Sequence, residues 1–104
     1  MFTHGLTPRF PIVNTLLRFF HSLRRIQPPS LTNDQARRVQ SVIANVFAGQ
    51  VVRMDQIDRI VQANILRTWD HLDLPRSQHN AVQWYASFLV RRWVAAHPPL
   101  FALG

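Results

Sequence analysis

Prolines and one glycine cut this chain into four stretches, and within each the apolar residues return every three or four positions. That period belongs to amphipathic α-helix, whereas a half-buried strand alternates every second residue. Only Gln50-Val51-Val52 has β character, and it is short enough to be loop. The expected fold is all-α: one small four-helix bundle-like domain over residues 1–104, with helices near 12–26, 33–48, 54–71 and 77–97. A chain of 104 residues holds a modest core and is near the size where self-association adds useful burial.

The signals along the chain are specific. Pro8 and Pro11 punctuate an extended lead-in over residues 1–11. In the first helix Leu16, Phe19, Phe20, Leu23 and Ile26 form the apolar stripe, Arg24 intrudes on its edge, and Pro28-Pro29 ends it. The second has a capping-box pattern, Thr32 with Gln35 three residues on. Its stripe is Ala36, Val39, Val42, Ile43, Val46 and Phe47; Arg37, Arg38, Gln40, Ser41 and Asn45 face away, and Gly49 is the stop. The third starts with Asp55 and Asp58 where the helix dipole favours carboxylates, and continues through Met54, Ile57, Val61, Ile65, Trp69 and Leu72 to Pro75. Ile60 and Leu66 lie off that stripe.

The fourth helix, with Ser77 as cap, is apolar nearly all round. Val82, Tyr85, Leu89, Trp93 and Ala96 make one stripe and Ala81, Trp84, Phe88 and Ala95 a second, leaving only Gln83, Ser87 and Arg91 as a polar strip. A helix of this kind is buried on more than one side. The expectation is a homodimer through this C-terminal helix, with Trp84, Tyr85, Phe88, Leu89, Arg92 and Trp93 as interface residues. Arg92 falls within the apolar arc and must either reach solvent from the helix end or meet a carboxylate. The tail over 98–104 is also apolar and should pack back or meet a partner.

Charge is carried one-sidedly: twelve arginines and no lysine, five aspartates and no glutamate. Lys and Glu are ordinary residues of helix surfaces. A coding constraint explains both absences, whereas selection for guanidinium chemistry has no bearing on Glu. Such a constraint suits a viral or phage accessory protein, or a supernumerary subunit of an organellar assembly. The net charge of +7 points to polyanionic partners.

Enzyme classes find little support. The chain has no cysteine, its three glycines are isolated rather than clustered into a phosphate loop, and no nucleophile motif is present. His71, Asp73 and His79 match no metal-ligand spacing, so neither a metal nor another cofactor is expected. Asp55 would occupy a buried position in a helix-turn-helix centred on Gly49, which argues against that motif. The longest apolar run, Ala81 to Val90, is stopped by Arg91 and Arg92 well short of a bilayer span. The acid-free stretch from Met1 to Asn33 has the composition of a mitochondrial transit peptide, but a basic first helix belonging to the fold is the preferred reading. That helix could lie on a membrane through Phe19, Phe20 and Leu23; packing on the other three helices, whose apolar faces need cover, is preferred. An intracellular setting is expected, cytoplasmic ahead of mitochondrial.

What remains is binding. Arg18, Arg25, Arg37, Arg38, Arg59 and Arg67 decorate the first three helices, and guanidinium forks match phosphates bidentately. The leading expectation is a non-enzymatic protein that binds nucleic acid, structured or double-stranded RNA above all, without reading sequence. The alternative is an adaptor, inhibitor or assembly subunit that docks on an acidic protein surface through apolar helix faces.

Overall fold

In the computed structural model, which describes residues 9–50 and 52–96, every regular element is helical. Helix α1 runs Arg9–Ser22, α2 Asn33–Phe47, α3 Ile57–Arg67, α4 Trp69–Leu72 and α5 His79–Ala96, and short 3-10 turns occupy Arg24–Ile26, Met54–Gln56 and Arg76–Gln78. α1 packs on α2, α3 packs on α5, and α2 joins the two pairs by also packing on α4 and α5. One apolar core results, with Leu16 and Phe20 from α1, Val39 and Ile43 from α2, Val61 and Ile65 from α3, and Val82, Tyr85 and Leu89 from α5. Each such side chain, fully buried, contributes about 1.5–3 kcal/mol of transfer free energy before entropy is counted.

The second helix is as its sequence implies. Thr32 Oγ1 accepts from Gln35 N (3.1 Å) while Gln35 Oε1 accepts from Thr32 N (2.9 Å), closing the capping box. Gly49 follows the helix at φ +77°, a left-handed conformation open to glycine at little cost.

The other boundaries moved, for physical reasons. Arg9 to Pro11 are helical rather than extended, and a proline there loses nothing because first-turn N–H groups have no intrahelical acceptor. The expected lead-in over 1–8, His97 and the apolar tail over 98–104 lie outside the described residues. α1 ends at Ser22, whose hydroxyl donates to the Phe19 carbonyl (2.5 Å), and the chain tightens into the 3-10 turn before Pro28. That change of pitch carries Ile26 off the stripe and out to solvent. The third segment is two helices, not one over 54–71. Asn64 Nδ2 donates to the Ile60 carbonyl (2.8 Å), and Thr68 Oγ1 donates back to the Asn64 carbonyl (2.7 Å). Such back-bonding bends helices. After the break Trp69 and Leu72 turn into the core, whereas Met54, in the preceding 3-10 turn, is exposed. Ser77 lies inside the turn Arg76–Gln78 rather than capping α5.

Two long-range ties hold the connections. Arg38 Nη1 donates to the carbonyls of Leu72 (3.2 Å) and Asp73 (3.1 Å), satisfying α4's C-terminal end where Asp73 adopts φ 54°. Gln78 Nε2 donates to the Ser30 carbonyl (2.6 Å) and to Gln35 Oε1 (3.1 Å), pinning the turn before α5 to the start of α2.

α5 departs most from expectation. Its polar strip faces a neighbour: Ser87 is buried, Gln83 Nε2 donates to Ser87 Oγ (3.2 Å) and to the Asp58 carbonyl (3.4 Å), and Arg91 pairs with Asp58 across to α3. Tyr85 and Leu89 are fully buried in the chain's own core, so neither presents surface to a second copy, contrary to the sequence reading. The second apolar stripe is what is left outside, with Trp84 51% exposed.

Candidate functional site

The end of α1 and the outer face of α2 enclose an open cleft of about 390 Å³. One wall comes from the last turn of α1 and the linker toward α2, with His21, Arg24, Arg25 and Gln27. The other comes from α2, with Asn33, Arg37 and Gln40. Positions four and three residues apart fall on one helix face, which is why those three α2 residues line a single wall. Among the described residues no carboxylate lines the cleft.

The polar side chains of this cleft are held in place. Gln27 Nε2 donates to the Leu31 carbonyl (3.2 Å) and to Asn33 Oδ1 (3.1 Å), locking the linker across the start of α2. Arg24 Nη1 donates to the His21 carbonyl (3.2 Å), an arginine satisfying the carbonyl end of α1. Gln40, only 5% exposed, donates from Nε2 to the Tyr85 hydroxyl (2.8 Å). Burial raises the Tyr85 phenol above its ordinary value, and the Gln40 bond opposes that rise.

Arg25 and Arg37 differ from Arg24. Neither forms a hydrogen bond or ion pair among the described residues, and both are exposed. Helix-dipole compensation accounts for Arg24 at the end of α1, but not for Arg37 in the middle of α2. Three guanidinium groups and an imidazole thus line one cleft, from the end of α1, the 3-10 turn after it and α2, with no carboxylate among the described lining residues, an arrangement suited to a phosphate or carboxylate oxygen.

The six arginines singled out from sequence divide by role. Arg25 and Arg37 come together in the cleft. Arg18 is exposed on α1 one turn before His21, outside the lining. Arg38 is drawn into the α4 carbonyls and lies 4.0 Å from Asp73 Oδ2. Arg67 donates to Asn64 Oδ1. Arg59 is exposed on α3, which packs on α5 and not on this wall. Arg24 and His21 were legible in the sequence as part of the basic flank of the first helix but stood outside the set of six, and Gln27, Asn33 and Gln40 were missed. Their signal was the shared α2 face of Asn33, Arg37 and Gln40, but the opposing wall depends on how the chain turns after Ser22.

Of the residues expected at an interface, Trp84 stacks on Phe88 with ring centroids 5.6 Å apart and planes 5° from parallel. Arg92 reaches solvent, its guanidinium carbon 5.8 Å from the Phe88 centroid, and makes no ion pair among the described residues. Trp93 is half-buried, edge-on to Phe19 at 5.4 Å. His79 stands against Trp69, and among the described residues no group of three His, Cys, Asp or Glu could hold a metal ion. Among them also, no helix is long and apolar enough to cross a membrane.

Comparison with protein-family models, with curated proteins and with solved structures finds no match.

Proposed function

We propose that this chain is a small non-enzymatic binding protein that grips the phosphate backbone of nucleic acid, structured RNA above all, without reading its sequence. The observation that carries the reading is the cleft between α1 and α2, lined by Arg24, Arg25, Arg37 and His21 with no carboxylate among the described residues. Guanidinium forks are suited to phosphate oxygens, and an open cleft admits a continuous strand rather than enclosing a small anion. Arg18, exposed one turn away on α1, extends the same basic flank.

Salt dependence is the test. Binding to random RNA duplexes weakens steeply with salt because phosphate contacts release counterions. Arg25→Ala and Arg37→Ala each lower the log–log salt slope by about 1, weakening all sequences alike. Arg38→Ala leaves the slope unchanged, since that side chain is engaged with α4. Absence of binding at low salt, or slopes identical in all three variants, overturns the reading.

A second reading, docking of a protein or of a second copy through α5, draws on one observation, the half-exposed indole of Trp84 on its Phe88 neighbour. Sedimentation across a concentration series tests the homodimer. A monomer at high concentration removes it.

A further inference from the structure

A second groove, about 590 Å³, runs between α3 and α5 on the side that exposes Trp84. Its composition separates two occupants. The core of a protein–protein interface is apolar and depleted in charge. This groove instead sets one aromatic ledge, Trp84 on Phe88, beside the carboxamides of Gln62 and Asn80, with the Asp58–Arg91 ion pair at its rim. We infer that the groove receives an unpaired, adenine-type nucleobase, stacked on Trp84 with its edge met by Gln62 and Asn80. The inference rests in part on the nucleic-acid reading above, since a backbone held in the cleft is one source of such a base; free adenosine is the other.

Three features support it. Trp84 shows an indole to solvent while Gln83 and Ser87, polar residues of the same helix, are turned toward α3. Single-stranded bases are commonly held on exposed aromatic rings of this kind. Second, Asn80 lies one helical turn before Trp84, on the same face, and Gln62 faces it from α3. Both are exposed and form no side-chain hydrogen bond among the described residues, so each amide has a donor and an acceptor to offer. That pair of functions on one planar group matches the N6 and N7 edge of adenine. Third, polar capacity is left over beneath the ledge: Gln83 Oε1 and His79 Nε2 are buried and without a partner among the described residues. A purely apolar partner would cover Gln62 and Asn80 without satisfying either amide.

The experiment uses tryptophan emission, for which the chain is well arranged. Of its three tryptophans Trp69 is buried and Trp93 half-buried, so Trp84 is the one open to a stacking ligand. Adenosine, which carries no phosphate, is titrated against the full chain, with ribose as control. Quenching by adenosine that is lost in Trp84→Leu and weakened in the double variant Gln62→Ala/Asn80→Ala is the expected result. No quenching of the wild-type protein overturns the inference whatever the α1–α2 cleft binds. In parallel, single-stranded oligoadenylate and a duplex of equal length are compared at low salt. Trp84→Leu should weaken the single strand on the order of tenfold and leave the duplex unchanged. Duplex binding that persists while Trp84→Leu leaves the single strand unaffected sinks the groove and spares the cleft. Adenosine quenching without duplex binding sinks the cleft and spares the groove. Conversion of a dimer to a monomer by Trp84→Leu, with no change in adenosine response, assigns the ledge to a second copy and overturns the base-binding proposal.

Discussion

Replacing Tyr85 with phenylalanine deletes one oxygen atom from the centre of this protein, and the structure says what that should cost. Tyr85 is fully buried, and its hydroxyl accepts from Gln40 Nε2 at 2.8 Å. In the variant the Gln40 amide keeps its place at 5% exposure but has lost its acceptor. A buried donor left in that state costs about 1–3 kcal/mol. Gln40→Met strands the hydroxyl instead and should cost a similar amount. The double variant removes both polar groups together, and replacing both partners with apolar groups of similar shape is close to neutral. The coupling in a double-mutant cycle should therefore be at least about 2 kcal/mol, well beyond the few tenths expected of independent sites. By urea denaturation the single variants lose that stability without change of slope. By heat, each loses on the order of 5–10 °C in midpoint. Additive single and double effects would refute the reasoning.

The same pair has a pH signature, which this composition isolates. Burial lifts the Tyr85 pKa in the folded state, against the lowering effect of the Gln40 bond, above the value of about 10 that it has unfolded. The folded state then favours the neutral phenol, so its stabilising contribution is complete below about pH 10 and is lost as pH rises from there through the folded-state pKa. The decline is at most about 1.4 kcal/mol per pH unit. The chain has one tyrosine, no lysine and no cysteine, so no other type of side chain titrates near pH 10. Alkaline destabilisation seen in the wild type should be absent in Tyr85→Phe. An equal decline in both would show that the phenol is not its source.

Neighbouring arginines should separate stability from binding: Arg38→Ala loses about 1–2 kcal/mol because the α4 carbonyls lose a charged donor, while Arg37→Ala stays within about 0.5 kcal/mol and only it weakens phosphate binding. Thr32→Ala removes the Oγ1 acceptor of the capping box while the backbone N–H of residue 32 can still donate to Gln35 Oε1, and it costs about 1 kcal/mol by thermal or urea unfolding; no change would mean that the cap is not formed in solution. Gly49→Ala costs about 1 kcal/mol through its φ of +77° alone, since an added Cβ meets nothing within 4 Å, and Gly49→Asn should recover much of that loss. An equal penalty for Asn and Ala would point to a steric cause instead.

Much of this protein can be read locally. Helical periodicity, the Thr32–Gln35 reciprocity and the stop at Gly49 each involve residues within one turn of one another, so sequence alone determined that the regular elements of the described residues are helical, where α2 lies, and that Val39, Ile43, Phe47, Val61, Ile65 and Val82 face inward. Net charge and the absence of lysine are likewise properties of the sequence, and they set the anionic character of the proposed partner and the clean alkaline titration of Tyr85. The tertiary structure decided what depends on pairs distant along the chain. Gln40 reads as a surface residue until Tyr85, 45 positions away, supplies a buried partner. Arg38 reads as a free cation until it reaches the α4 carbonyls, whereas Arg37 beside it lines the same cleft as Arg24 and Arg25. On α5 the apolar count was right and the side was wrong. The bonds of Gln83 and Arg91 to α3 turn its polar strip inward, and Trp84 is left outside. A periodic pattern states how wide an apolar face is, but which neighbour covers it is settled only when helices compete for one core, because a polar group is buried at low cost wherever a partner waits for it.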